Sequence, residues 1–207
     1  MDINTIKSRM VNGKMYCPSD PILVNEQAHS MDCLIEYNNL KYTENVKGQD
    51  LLKKMFAVIG DECLILQPFY ASWGGKNVHF GNNIFANFNL TLIDDGDIFV
   101  GDNVMMASNV TLVTATHPIN PTLRKTQTQY NKPIYIGENV WLGANVVVLP
   151  GVSIGKNSVI GAGSVVTKDI PENVVAVGAP CKVLRLISEK DDIYYDHDKI
   201  IDIPIIK

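Results

Sequence analysis

A six-residue repeat runs through this sequence from about residue 77. Every sixth residue counted from Val100 is apolar once a single interruption is skipped, and the set is Val100, Met106, Leu112, Ile136, Leu142, Val148, Ile154, Ile160 and Val166. Because 46% of the chain is hydrophobic, nine matches in one reading frame would arise by chance roughly once in a thousand cases. Self-similarity at a short fixed period predicts a β-solenoid.

Two further positions of the repeat are also restricted. The residue after each apolar position is mostly small, as at Gly101, Gly137 and Gly155. The fourth residue after it is β-branched or small throughout: Val104, Val110, Val140, Val146, Val152, Ser158 and Ser164. Short strands joined by small corner residues predict a parallel β-helix with three hexads per coil, in which neighbouring coils lie about 4.8 Å apart.

The repeat is broken twice. Phe80, Ala86 and Leu92 keep the period but are offset by two residues near Asp95-Gly96-Asp97, which predicts a bulged corner. Leu112 and Ile136 are 24 residues apart, whereas neighbouring positions of the repeat are six apart, so eighteen residues are inserted. The inserted segment, residues 117–133, has three prolines and no periodicity, and we expect it to project as a loop. Long loops in compact domains are commonly functional.

The first 60 residues differ from the rest and read as a helical N-terminal appendage. Asp20 can cap a helix that starts at Pro21, and apolar residues follow at helical intervals: Leu23, Met31, Leu34 and Ile35. A second helix is predicted over Gln49–Ile59, ended by Gly60. The predicted organisation is therefore a helical appendage at residues 1–60, a β-helix at 61–187 and a C-terminal tail at 188–207.

Composition excludes several classes of function. Eighteen basic residues against 22 acidic ones give a net charge of −4 without a Lys/Arg block, so we expect neither nucleic acid nor an anionic membrane as partner. The four cysteines form no Cys-x-x-Cys pair, which argues against a zinc site or a disulfide framework. Without an apolar run of about 18 residues or a signal-peptide pattern, we expect a soluble, cytoplasmic protein.

Several segments together carry a family likeness. The hexads from IYIGENVWLG to VVAVGAPCKVLR, the segment FANFNLTLIDD, and TATHPI followed by the long loop resemble the maltose and galactoside O-acetyltransferases, a branch of the hexapeptide-repeat acyltransferases. The likeness covers about residues 5–187. It implies a mainly β fold with a left-handed parallel β-helix, and a homotrimer with active sites between subunits. It also implies acetyl-CoA as cosubstrate, a small sugar acceptor and no required metal.

His117 is the candidate catalytic residue. Transfer of an acetyl group from a thioester to a hydroxyl needs a base for the hydroxyl proton, and histidine titrates near neutral pH. His117 stands where the coil ends and the long insertion begins, and it matches the catalytic histidine of the family in TATHP. Elsewhere a lone histidine is more often solvated or structural.

The resemblance also assigns the acceptor side, to Asp20, Ser72, Phe85, Asn87 and Asp95. Amides and carboxylates suit a polyol because they can bind paired hydroxyls. Asp20 can equally serve only as a helix cap, and Phe85 stands where galactoside-type relatives have tyrosine, which favours a changed or more apolar acceptor. Asparagine can instead occupy left-handed corners, the interpretation we favour for four others: Asn82, Asn103, Asn139 and Asn157.

The coenzyme side is assigned in the same way, to Trp141, Ala144, Ala162, Thr167, Lys168, Lys182 and Arg185. Coenzyme A needs backbone N–H groups along its pantetheine arm and cations at its phosphates. Trp141 can alternatively pack against another subunit, and isolated surface lysines and arginines are often only solvated.

Three other functions stay open at this point. A streptogramin-type xenobiotic acetyltransferase would share the chemistry and differ in its acceptor. A carbonic anhydrase on the same fold needs three histidines around one metal, and the chain has four, of which two, His29 and His197, fall outside the coils. A non-catalytic β-helix scaffold would keep the hexads without a reason to keep His117 beside the insertion.

Overall fold

The computed structural model describes residues 2–203. Its helices are α1 Ile3–Val11, α2 Pro21–Asn38, α3 Asn45–Met55 and α4 Pro121–Arg124. Its strands are β1 Val58–Ile59, β2 Leu64–Ile65, β3 Tyr70–Ala71, β4 Val78–Phe80, β5 Phe85–Ala86, β6 Thr91–Ile93, β7 Ile98–Val100, β8 Met105–Met106, β9 Thr111–Val113, β10 Ala115–Thr116, β11 Tyr130–Asn131, β12 Ile134–Ile136, β13 Trp141–Leu142, β14 Val147–Val148, β15 Ser153–Ile154, β16 Val159–Ile160, β17 Val165–Val166, β18 Val174–Val177, β19 Lys182–Leu186, β20 Tyr194–Asp196 and β21 Lys199–Ile200.

Successive strands enter three different sheets in turn, which makes the chain a parallel β-helix. Sheet one has the order β1-β4-β7-β12-β15, sheet two β2-β5-β8-β13-β16-β18-β19, and sheet three β3-β6-β9-β14-β17. The pairs are parallel except β18 with β19, which is antiparallel. The predicted fold class, a mainly β parallel β-helix with an N-terminal helical segment, is confirmed, and its left-handed sense stays an implication of the resemblance.

Strand register confirms both breaks in the repeat. Ile136 pairs with Ile154, eighteen residues on, which is three hexads. Phe80 pairs with Val100, twenty residues on, so the two-residue offset lies within that coil. Val100 pairs with Ile136, 36 residues on, which is one coil plus the eighteen inserted residues. The coils before and after the insertion therefore pair directly, and the inserted residues project from a continuous β-helix.

The core lies inside the coils. All nine apolar repeat positions are buried, at most 4% exposed, and so are the seven β-branched or small positions. Two of these seven are serines whose hydroxyls have partners: Ser158 donates to the Pro171 carbonyl at 2.8 Å, and Ser164 donates to the Gly161 carbonyl at 2.6 Å. The alternation of side chains along each short strand thus buries one residue and exposes the next.

Stacked asparagines occupy the corners. Left-handed φ angles occur at Asn83, Asn89, Asn103, Asn109, Asn139, Asn145, Asn157 and Asn173. Their amides form ladders between coils, as where Asn89 donates to Asn109 at 3.0 Å and Asn109 to Asn145 at 3.1 Å. The prediction is right for Asn103, Asn139 and Asn157 and wrong for Asn82, because its neighbour takes the left-handed corner. The Asn82 carboxamide oxygen instead accepts the Asp61 N–H at 3.0 Å.

Small residues follow the strands of sheet one because coils approach closely there. A Cβ on Gly101 would lie 2.7 Å from the Glu138 nitrogen, and one on Gly137 would lie 2.6 Å from the Lys156 nitrogen. Both neighbours are backbone atoms of the next coil, which cannot move aside as a flexible side chain can. The small slot seen in the sequence is therefore set by packing between coils.

The N-terminal segment is helical, with two differences from prediction. Asp20 caps α2 as expected, since its carboxylate accepts the Ile22 N–H at 3.0 Å. Leu23 and Leu34 of α2 are buried, but Ile35 faces solvent. The predicted helix over Gln49–Ile59 is wrong at both ends. The observed helix α3 spans Asn45–Met55, and the last two residues of the predicted helix, Val58 and Ile59, form β1. We therefore propose that the β-helix begins at about residue 58 rather than 61.

The shift at the end of α3 has a physical cause. Phe56 is extended rather than helical and packs edge-on against Phe69 and Phe80. Val58 and Ile59 are β-branched residues that suit a strand, and they pair in parallel with β4. The pairing with the next coil outweighs the helical spacing of the preceding residues.

Polar side chains from α2 and α3 bond the backbone of the first coil. The Tyr37 hydroxyl donates to the Ile65 carbonyl at 2.6 Å, and the Gln49 amide donates to the Cys63 carbonyl at 2.8 Å. The Asn38 amide bonds both the carbonyl and the N–H of Phe69. These contacts fix the helical segment on one end of the β-helix.

The insertion and the tail have some regular structure. Residues 117–133, predicted as an irregular loop, contain α4, capped by Asn120, and the short strand β11. In the tail, a 3-10 helix at Glu189–Asp192 precedes the hairpin of β20 and β21. In residues 2–203, no helix combines the length and apolar character needed to span a membrane.

Candidate active site

Asp95 is the hub of a polar network at the corner between sheets three and one. It lies in the two-residue offset between β6 and β7. Its carboxylate accepts hydrogen bonds from the Ser72 hydroxyl at 2.9 Å and the Gln129 amide at 2.8 Å. The Trp73 indole and the Tyr16 hydroxyl lie at 3.3 Å. Two predicted acceptor residues, Ser72 and Asp95, are thus brought together.

Asp94, beside this hub, is fully buried. Its carboxylate accepts the Trp73 N–H at 2.7 Å and the Gly75 N–H at 3.0 Å, and the Ser72 hydroxyl lies 3.2 Å away. Burial raises the pKa of Asp94 to about 6, against the opposing effect of the Trp73 hydrogen bond. Asp94 was not among the predicted site residues, although two adjacent acids at a break in an apolar repeat are an unusual signal.

His117 follows β10, at the same corner as Asp95. Its Nδ1 lies 3.0 Å from the Thr128 carbonyl oxygen across the base of the insertion. A carbonyl can only accept, so Nδ1 carries the proton and Nε2 is left with a free lone pair. The side chain is exposed. This tautomer is the one that a proton-abstracting histidine requires.

The base of the insertion is held against the N-terminal segment. Tyr16 and Gln129 exchange two backbone hydrogen bonds, at 2.9 and 3.0 Å, and the Gln129 amide also donates to the Tyr16 hydroxyl. The Asn131 amide donates to the Asp95 carbonyl at 2.8 Å. Burial raises the pKa of Tyr16 above its usual range. Tyr16, Gln129 and Asn131 were not predicted as site residues, and their only signal in the sequence is that the last two lie in the long insertion.

Phe85 and Trp141 lie on a different side of the molecule. On sheet two, Phe85 pairs with Met105, which pairs with Trp141, so the two aromatic residues are two strands, about 10 Å, apart. The Trp141 side chain is half exposed on the outer face. The acceptor residue Phe85 and the coenzyme residue Trp141 therefore share one surface, away from Asp95.

Asn87 lies at the corner between sheets two and three. Its carboxamide oxygen accepts the Phe88 N–H at 2.7 Å, and it is not among the left-handed asparagines of residues 2–203. The alternative that Asn87 serves as a left-handed corner residue is therefore wrong, although the residue lies at a corner. In the described chain no side-chain hydrogen bond joins it to Asp95. Asp20 caps α2 and, within residues 2–203, its side chain bonds no member of the network.

The predicted coenzyme residues divide between two surfaces. Ala144 and Ala162 follow adjacent strands of sheet two, and no backbone hydrogen bond in residues 2–203 uses the N–H of either. Thr167 and Lys168 are exposed after sheet three, on the side of His117. Lys182 and Arg185 lie on β19, the exposed outer strand of sheet two.

The Arg185 side chain forms an ion pair with an acidic residue of the same chain. Its guanidinium donates to both oxygens of Asp191 in the tail, at 2.7 and 2.8 Å. This fork holds the pKa of Asp191 well below its usual range. Among residues 2–203, no three His, Cys, Asp or Glu side chains come together in a way that could hold a metal ion.

Known proteins match both parts of this architecture. Residues 133–168 match the family model "Bacterial transferase hexapeptide (six repeats)". Residues 9–60 match the model "Maltose acetyltransferase hexapeptide capping motif". The second match covers the helical segment that lies on the end of the β-helix.

Individual relatives match over nearly the whole chain. A galactoside O-acetyltransferase of Lactococcus lactis is 58% identical over 195 residues, 94% of each chain. A solved galactoside acetyltransferase in complex with coenzyme A superimposes with a TM-score of 0.92 at 45% identity, covering 95% of this chain and 98% of that one. A maltose O-acetyltransferase from Clostridium difficile gives 0.86 at 43% identity, covering 88% and 97%.

Proposed function

The chain belongs to the maltose and galactoside branch of the hexapeptide-repeat acyltransferases, and on that premise we propose how it works and which acceptor it uses. The family makes it an acetyl-CoA-dependent sugar O-acetyltransferase. We propose that the acceptor is a maltose-, glucose- or galactoside-type sugar and that His117 is the general base. The free Nε2 lone pair of His117 beside the Asp95 network is the observation that carries the mechanism.

The reaction is a direct transfer. Nε2 of His117 takes the proton of the sugar hydroxyl while the hydroxyl oxygen attacks the thioester carbonyl carbon. The C–S bond of acetyl-CoA then breaks, and the proton passes to the coenzyme sulfur. Hydrogen-bond donors near the insertion stabilise the oxyanion of the tetrahedral intermediate, and no covalent enzyme intermediate forms.

Asp95 and Ser72 bind the sugar hydroxyls in this proposal. The Asp95 carboxylate already accepts from the Trp73 indole and the Gln129 amide besides Ser72, and the Tyr16 hydroxyl lies within reach. These contacts orient it toward an acceptor. Asn87, Phe85 and Asp20 complete the acceptor site, and Phe85 gives it a more apolar wall than a tyrosine would.

A homotrimer explains why the site residues divide in two. Ser72, Asp95 and His117 lie at the corner between sheets three and one, whereas Phe85 and Asn87 lie on and beside sheet two. One chain alone does not join these groups, but neighbouring copies packed side by side would place one group against the other. We propose three such sites per trimer, and a cytoplasmic enzyme without nucleic-acid or membrane partners.

Coenzyme A would lie between the same copies. The free N–H groups of Ala144 and Ala162 suit the pantetheine arm, with Trp141 beside them on sheet two. Thr167, Lys168, Lys182 and Arg185 would bind toward the phosphates.

Asp191 competes with the coenzyme phosphates for Arg185. We expect Asp191→Asn to lower the KM for acetyl-CoA about two- to fivefold, because the pair is exposed and its interaction correspondingly weak. Steady-state kinetics at fixed ionic strength measures this. Asp192→Asn is the control, because it removes a negative charge from the neighbouring residue and leaves the Arg185–Asp191 pair intact. An equal decrease in the KM for acetyl-CoA in both variants would contradict the proposed competition.

The acceptor is tested by a panel of maltose, glucose, galactosides and streptogramins, assayed for release of free coenzyme A thiol. We expect release with at least one of the sugars. Release with streptogramins alone would make the chain a xenobiotic acetyltransferase. Release with none, together with no coenzyme A binding by calorimetry, would favour the non-catalytic scaffold.

A further inference from the structure

The turn after β3 is built around the buried carboxylate of Asp94. Gly74 and Gly75 have left-handed φ angles of +64° and +95°, and the chain folds back so that the Trp73 and Gly75 N–H groups point at one side chain. Asp94 accepts both, one on each oxygen. Its backbone carbonyl also accepts the Asn77 amide at 2.7 Å. Asp94 therefore bonds the turn at Trp73 and Gly75 and the chain just beyond it at Asn77.

The same turn presents two donors to Asp95. The Ser72 hydroxyl and the Trp73 indole N–H both reach the Asp95 carboxylate. The Ser72 hydroxyl also lies within reach of Asp94, but it has one proton and can donate to one carboxylate at a time. Asp94 itself has no exposed surface, so it cannot touch an acceptor.

We propose that Asp94 is a positioning residue of the acceptor site: it holds the Ser72–Gly75 turn so that Ser72 and Trp73 orient the Asp95 carboxylate toward the sugar. This inference rests on the proposed acceptor role of Ser72 and Asp95. Replacing a residue with a purely structural role should impair the binding of both substrates. Asp94 bonds one turn, and that turn bonds the carboxylate proposed to bind the sugar, so its replacement should impair sugar binding alone.

Asp94→Asn is the direct test, because asparagine keeps the shape but has one accepting oxygen for two N–H groups. We expect the KM for the sugar to rise on the order of tenfold, the equivalent of one lost hydrogen bond to a charged group, with the KM for acetyl-CoA unchanged. Asp97→Asn is the matched control, since Asp97 lies in the same offset and its carboxylate, within residues 2–203, bonds only the His79 side chain.

A spectroscopic measurement separates this inference from the proposed function. The chain has two tryptophans, so a nitrogen–proton spectrum of the labelled protein has two indole signals, assigned with Trp73→Phe. We expect Asp94→Asn to move the Trp73 signal and leave that of Trp141 in place, and Asp97→Asn to move neither. If Asp94→Asn does not fold, Asp94→Ser keeps one accepting oxygen in a smaller side chain.

Each outcome decides the matter. A moved Trp73 signal with a raised sugar KM supports the inference, and an unmoved signal overturns it. A moved signal with unchanged sugar kinetics shows that Asp94 holds the turn but that the acceptor role of Ser72 and Asp95 is wrong. Equal increases in the KM of both substrates would reduce Asp94 to a structural role and also overturn the inference.

Discussion

His117→Ala is expected to lower kcat for acetyl transfer about 10²- to 10⁴-fold, the range that a general base contributes. Without the imidazole, water must take the proton from the attacking hydroxyl. Affinity for coenzyme A should change little, because none of the proposed coenzyme contacts involves His117. Thiol release measures the rate, calorimetry measures coenzyme binding, and light scattering measures whether the proposed trimer still forms.

His29 provides the control for this experiment. It is exposed on α2, and its Nδ1 lies 2.7 Å from the Asn25 carbonyl, so its ring makes the same type of hydrogen bond outside the site. His29→Ala should retain the wild-type kcat. Full activity of His117→Ala would rule out the proposed mechanism, and equal losses in both variants would indicate a general effect on folding.

Leu142→Ala is expected to destabilise the fold by about 2–5 kcal/mol, the usual cost of removing a buried leucine side chain. Leu142 is completely buried and lies between Met106 and Ile160 of the neighbouring coils. A cavity there has coils on both sides that cannot collapse onto it without breaking their strand pairing. Guanidinium unfolding followed by circular dichroism, at one protein concentration, measures the loss.

Leu184→Ala is the matched substitution on the surface. Leu184 lies on β19 with 64% of its surface exposed, so the change should alter the free energy of unfolding by less than about 0.5 kcal/mol. If the two variants lost stability equally, the every-sixth residues would not form the core.

The period of six made most of the β-helix predictable. In each hexad the apolar residue and the fourth residue after it had to face the interior, so register, burial and both breaks followed from counting. The left-handed corners also follow the period: Asn83 lies three residues after Phe80, as Asn103 lies three residues after Val100, so the repeat favours Asn83 over Asn82. The end of α3 does not follow from the period, because β1 is defined by its pairing with β4.

The site was predictable only in part. His117, Ser72 and Asp95 were assigned from motifs, but Tyr16 and Gln129 were not. Tyr16 lies 79 residues from Asp95 and 113 from Gln129 along the chain, and no local pattern marks contacts over such separations. Hydrogen bonds between distant side chains emerge only when the coils and the helical segment are assembled.

The bonds from α2 and α3 to the first coil also limit how the molecule can grow. A stack of parallel coils ends in strands with unpaired backbone groups, onto which another molecule could add and so extend a fibre. Tyr37, Asn38 and Gln49 occupy those groups at one end, and the antiparallel strand β19 closes sheet two at the other. These contacts hinder lengthwise addition at the covered edges and leave the sides of the β-helix open, which suits the proposed association of copies side by side rather than end to end.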